Sequence, residues 1–154
     1  MAEGILRARL AEAEIDANVA SVGTLGWSER GATPNAVTAM AEIGIDISTH
    51  RSRKLAPDHL DIDLVVAMTR DHAGAVIARD PSLAVRVFLP GELRRLVRTT
   101  GPRTLDDLGA ARVGATVGRA DEQVADPAGE SLDVYRSTAA RLDRDLSAFV
   151  GMLR

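Results

Sequence analysis

The stretch Ile62-Asp63-Leu64-Val65-Val66-Ala67-Met68 constrains this chain more than any other. The run is too short for a stable helix and too continuously apolar for a strand with one wet face. It therefore predicts a strand buried on both faces, as in a parallel sheet. Such a sheet needs helical crossovers, and the surrounding sequence supplies them. A helix is expected from Thr69 through Ala78, followed by a second short strand at Val85–Leu89. Upstream, Thr33 can cap a helix that has Pro34 at its first position, where the missing N–H costs nothing. Val37, Met40 and Ala41 would form its buried face, and Gly44 would give it a left-handed ending.

Residues 2–14 carry a narrow apolar face of Ile5, Leu6 and Leu10, with helical pattern from the first residue and no capping side chain. A strand-like piece follows at Asn18–Val22. The clearest helix is the last, with Leu132, Tyr135, Ala139, Leu142, Leu146, Phe149 and Leu153 spaced three and four apart. Strands alternating with helices argue an α/β sheet with right-handed crossovers. The stretch from about 92 to 125 is arginine-rich and less regular, with a short helix at Thr104–Leu108. It is expected to be an insertion within a single domain spanning 1–154.

Composition narrows the function classes. The net charge is −3 and no broad basic surface is implied, which argues against nucleic acid or anionic membrane as a partner. No apolar run approaches the roughly 20 residues of a membrane span, and no secretory pattern opens the chain, so a cytoplasmic protein is expected. There is no cysteine. Disulfides, thiolate metal sites and a thiol nucleophile are therefore excluded in the chain as given. His50, His59 and His72 lack ligand spacing, so neither metal nor cofactor is expected.

Five segments occur in a telling order: Met1-Ala2-Glu3, Ser21-Val22-Gly23-Thr24-Leu25-Gly26-Trp27, Gly44 through Arg53, Asp63 through Met68, and Asp126-Pro127. Together they resemble the low-molecular-weight protein tyrosine phosphatases over nearly the whole chain. The resemblance implies a three-layer, doubly wound parallel sheet. In that family the first strand leads into a Cys-x5-Arg-Ser-Pro loop, whose amides and arginine cradle phosphate and stabilise a thiolate. The thiolate forms a cysteinyl-phosphate, and an aspartic acid protonates the leaving group. Met1-Ala2-Glu3 matches the residues just after Ser-Pro. The chain as given is thus expected to lack the first strand, the nucleophile and the arginine, and to be inactive by that mechanism.

By the same resemblance Asp126 is the general acid and base. Trp27 lines the substrate cleft, although a core-packing indole is an equal reading. Ser21 and His50 match residues that tie the phosphate loop in place; with that loop absent, both are expected to have lost that partner. Ala128 and Gly129 stand where the family often has aromatic residues. Thr69 replaces a common aspartate and His72 a common asparagine, the first being an exchange of helix caps.

The resemblance implies a phosphotyrosine protein or a small phosphomonoester as substrate and sets no oligomeric state. Arg94, Arg95, Arg98 and Arg103 read either as a solvated helix face or as a contact for an acidic or phosphorylated partner. Three functions compete: a phosphatase whose start lies upstream of Met1, an inactive phosphatase-like binding module, and an arsenate reductase relative. The last needs further cysteines that this sequence does not have.

Overall fold

The computed structural model describes residues 1–24, 29–56, 62–112 and 117–154. The fold is α/β, and the chain divides into two compact units.

The first unit comprises Met1–Leu55 and Asp126–Ser147. Helix α1, Ala2–Glu12, begins without a side-chain cap and buries Ile5 and Leu10, while Leu6 is only half-buried. It packs closely enough that a Cβ on Gly4 would stand 2.8 Å from Ile47 Cγ2. Glycine inside a helix normally costs about 1 kcal/mol, and here that close approach is what requires it. The C-terminal turn closes through Ile15 N–H on Leu10 C=O, with Glu14 in the left-handed region at φ 57°.

Helix α2, Pro34–Ala41, buries Ala36, Ala39 and Met40. Its ending follows the expectation, because Gly44 takes φ 77° and Ile45 N–H reaches back to Met40 C=O at 3.0 Å. Its beginning differs. Thr33 makes no side-chain cap; its hydroxyl instead donates to the hydroxyl of buried Tyr135 at 3.1 Å. No strand forms at Asn18–Val22. The ladder bonds start later, in an isolated parallel bridge between Gly23 and Lys54.

The second unit comprises Ala56–Ala125 and Ala148–Arg154. Its sheet pairs β1, Val65–Val66, with β2, Val87–Phe88, in parallel, Val65 opposite Val87 and Val66 opposite Phe88. Both strands are shorter than the apolar runs suggest. A run becomes strand only where a neighbour offers bonds, and Pro81–Val85 instead winds into a 3-10 turn capped by Asp80, leaving Val85 exposed. Between the strands lies α3, Arg70–Ile77, whose N-cap Thr69 accepts from His72 N–H at 3.2 Å, as the cap exchange predicts.

The stretch expected to be less regular holds the short helix expected near Thr104–Leu108 and, before it, one that was not expected. Helix α4, Pro90–Thr100, buries Leu93 and Leu96 and ends on Gly101 at φ 59°; α5, Leu105–Ala111, is capped by Thr104. Arginine-rich sequence masks this order because the arginines occupy the outer side of a helix whose leucines are buried. Helix α6, Leu132–Met152, runs from the first unit into the second. Tyr135, Ala139, Leu142, Leu146 and Phe149 of the predicted seam are buried along it, and its ends at Leu132 and Leu153 are half-exposed.

Candidate functional site

In the first unit the first turn of α1 places Glu3 at a point where three other side chains converge. Its carboxylate is mostly buried, with side-chain exposure of 9%. Arg7, one turn on, meets Oε1 at 2.6 Å. The Ser21 hydroxyl donates to Oε2, and His50 Nδ1 stands 3.7 Å from that same oxygen. The local sequence explains the placement. Glu3 sits in the first turn of α1, where a negative charge favours the helix dipole. Asp46 Oδ1 accepts from Ser48 N–H at 2.8 Å, and His50 N–H turns back to Ile47 C=O at 3.1 Å, so His50 is delivered by a tight turn after buried Ile47.

Ser21 and His50 are thus brought together at Glu3, Ser21 by a hydrogen bond and His50 at 3.7 Å. Glu3 is the residue that sequence reading passed over. Its signal was there, a glutamate in the first helical turn within Met1-Ala2-Glu3, but nothing local says what it faces.

Asp126 lies on a separate exposed loop of the same unit. Its Oδ1 accepts from Ala128 N–H at 3.0 Å, a self-closing turn that fixes the carboxylate's direction. Gly129, at φ 85°, and the bond from Glu130 N–H to Pro127 C=O at 3.0 Å finish the loop, and Asn35 Nδ2 holds Glu130 C=O at 3.2 Å. Oδ2 of Asp126 bonds none of the described residues, and no bond joins Asp126 to the Glu3 cluster. Trp27 lies outside the described residues, as does His59. Among the described residues no three His, Cys, Asp or Glu side chains gather as metal ligands.

In the second unit the segment ahead of Asp126 is tied down heavily. Val124 N–H bonds Met68 C=O at 2.8 Å, at the end of β1. Arg70 donates its backbone N–H to Gln123 Oε1 at 3.1 Å and its guanidinium to Gly118 C=O at 3.0 Å. Arg95 pairs with Glu122, and Gly91 lies so close that a Cβ there would stand 2.9 Å from Glu122 Cα.

The features to set beside known proteins are an α/β fold with a parallel sheet, the polar cluster around Glu3 and an Asp-Pro turn before the last helix. The family described as low molecular weight phosphotyrosine protein phosphatase matches residues 1–99. The probable low molecular weight protein-tyrosine-phosphatase EpsP of Ralstonia solanacearum is 35% identical over 96 residues, 62% of this chain and 63% of that protein. The chain therefore spans less than two thirds of that relative's length. Among solved structures, a low molecular weight protein tyrosine phosphatase from T. tengcongensis is similar with a TM-score of 0.76 and 28% identity, over 99% of this chain and 88% of that one. A mutant of the YwlE arginine phosphatase, with a phosphorylated active-site serine, is similar with a TM-score of 0.75 and 26% identity, over 99% and 85%. The chain belongs to the low molecular weight phosphotyrosine protein phosphatase family. No helix among the described residues is long and apolar enough to cross a membrane.

Proposed function

We propose that these 154 residues are the body of a cytoplasmic single-domain phosphomonoester hydrolase whose Cys-x5-Arg loop is encoded ahead of Met1. Asp126 is its general acid and base, Trp27 lines the substrate cleft, and Ser21 and His50 support the phosphate loop. The observation that carries this reading is the Asp126 turn. One carboxylate oxygen is fixed by Ala128 and the other is uncommitted among the described residues, which is the arrangement a proton donor needs. The substrate is a phosphorylated protein side chain or a small phosphomonoester. Similarity to an arginine phosphatase makes phosphoarginine a required comparison beside phosphotyrosine.

The test starts with the DNA upstream of Met1, read for an in-frame Cys-x5-Arg segment. The gene product that includes it is expected to hydrolyse para-nitrophenyl phosphate. Asp126→Asn should then lower kcat by about 10²–10⁴, with the larger loss on substrates whose leaving group is the poorer one. A stop codon in frame before any such segment would sink the proposal.

One observation favours a second reading, a non-catalytic phosphatase-like module: the 154 residues contain no thiol. It predicts that this chain alone melts cooperatively and turns over no phosphomonoester. The arsenate reductase reading has no cysteine pair within these residues to support it.

A further inference from the structure

Among the described residues three acidic residues are buried, Glu92, Glu122 and Asp145. Glu92 and Asp145 belong to α-helices. Glu122 instead ends the short 3-10 turn Ala120–Glu122, on the connection that leads to Asp126. Burying a carboxylate is costly and is tolerated where good partners surround it. Glu122 has three donors. Arg95 of α4 gives Nε to Oε1 at 2.5 Å and Nη2 to Oε2 at 3.4 Å, and Arg119 N–H reaches Oε2 at 2.7 Å.

The rest of the connection is fixed within the same unit. Arg70 holds it at two points, Gly118 and Gln123, and Val124 N–H bonds Met68 C=O. Packing leaves no slack: a Cβ on Gly118 would run into the Leu89 side chain, and one on Gly91 into Glu122. Asp126 follows Val124 by two residues, which confines it to within about 7 Å of that anchored residue. The turn closed by Ala128 fixes the direction of the Asp126 carboxylate but not the place of its loop. A proton donor must come within hydrogen-bond reach of its leaving group, and a misplacement of about 1 Å costs roughly 10²-fold.

We propose that Glu122 is a positioning residue for Asp126: paired with Arg95, it sets the point from which the Asp126 loop departs. The inference rests on Asp126 being the general acid. Glu122 acts only through the chain that joins the two, so its effect on the reaction passes entirely through the Asp126 carboxylate. That condition separates it from a residue that merely stabilises the fold.

The experiment uses the full gene product and compares Glu122→Ala, Asp126→Asn and the double variant on aryl phosphates with good and poor leaving groups. Glu122→Ala should lower kcat by about tenfold with the poor leaving group and by less with the good one, with KM within about twofold. The double variant should be no slower than Asp126→Asn alone. Glu122→Gln keeps an oxygen for Arg119 N–H and should recover part of the loss. Leu83→Ala, a buried change in the 3-10 turn Pro81–Val85 of the same unit, should lower the melting temperature and leave kcat unchanged. Losses that multiply in the double variant, or an equal kcat loss in Leu83→Ala, would overturn the proposal. If Glu122→Ala fails to fold, Glu122→Gln and Arg95→Gln give the same cycle. Amide NMR spectra separate this inference from the one it rests on. Glu122→Ala should shift the Ala128 and Glu130 signals as well as that of Val124, and Leu83→Ala should not. If the unsubstituted protein hydrolyses no phosphomonoester, the catalytic reading fails, while shifted Ala128 and Glu130 signals still make Glu122 the anchor of the loop. Unmoved signals overturn the positioning role in either case.

Discussion

Glu92 and Glu3 each occupy the first turn of a helix, and the protein treats them in opposite ways. Glu92, 1% exposed in the second unit, takes Arg112 Nε at 2.8 Å and Nη2 at 3.3 Å and also accepts Leu89 N–H at 3.3 Å. Arg112 uses its remaining donors on the carbonyls of Ala84 and Val87 and lies 4.1 Å over the Phe88 ring. Every polar atom of the pair is therefore occupied by groups around β2 and α4. Glu3 is less buried, with 9% of its side chain exposed, and its partners are looser. Arg7 is more than half exposed, and His50 stands beyond hydrogen-bond length. The Glu92–Arg112 pair has no hydrogen-bonding capacity left, whereas the partners of Glu3 are free to rearrange.

The largest test of that contrast removes one partner of the saturated pair. Glu92→Ala strands a buried guanidinium, and Arg112→Ala a buried carboxylate; either should cost about 3–5 kcal/mol in urea unfolding. Replacing both by apolar residues, Glu92→Leu with Arg112→Met, should recover most of that loss, since the desolvation penalty leaves with the charges. A single-site loss below about 1 kcal/mol would show that the pair is not the scaffold described.

Glu3 should respond less. Glu3→Ala removes a charge-assisted acceptor from Ser21 and the facing charge from Arg7, but water can reach the groups left behind. About 1–2 kcal/mol is expected, seen as a lower denaturation midpoint with an unchanged slope. The histidine NMR signals sharpen the reading: His50 should move and His72 should not. A Glu3→Ala loss equal to that of Glu92→Ala would erase the distinction between the two sites.

Much of this frame was legible in sequence for a definite reason. Local signals are carried by neighbouring residues, and they were read correctly at the Thr69 cap, the Gly44 ending and the buried seam of α6. What escaped depends on residues far apart in the chain. Thr33 is a good cap on local grounds, yet its hydroxyl goes to Tyr135. Val85 extends an apolar run, yet Asp80 and Pro81 start a turn that exposes it. The turn at Asp126-Pro127 is local, closed by Ala128 two residues on. Glu3 was missed, because its meaning comes from Ser21 and His50 folding onto it. Nor did the arginines of α4 announce that Arg95 would be taken up by Glu122, 27 residues on.

The smallest effect tests whether exposure, and not pairing alone, sets the scale. In the first unit Arg136 binds Glu42 through two nitrogens at 2.8 and 2.6 Å and Asp133 at 2.7 Å, geometry as good as that of Arg112. Both partners are exposed, with side-chain exposures of 46% and 41%. The hydrogen bonds from Arg136 hold the Glu42 carboxyl below its ordinary value of 4.5. A carboxyl depressed in the folded state contributes stability above its unfolded value and loses it as pH falls through the folded one. The melting-temperature difference between the protein and Glu42→Gln should therefore be smaller than that for Glu3→Ala at neutral pH. It should shrink further below pH 4.5 and nearly vanish in about 1 M salt, where charges are screened within roughly 3 Å. A difference that survives both acid and salt would mean that geometry alone sets the strength of these pairs, and the contrast between Glu92 and Glu3 would then need another cause than burial.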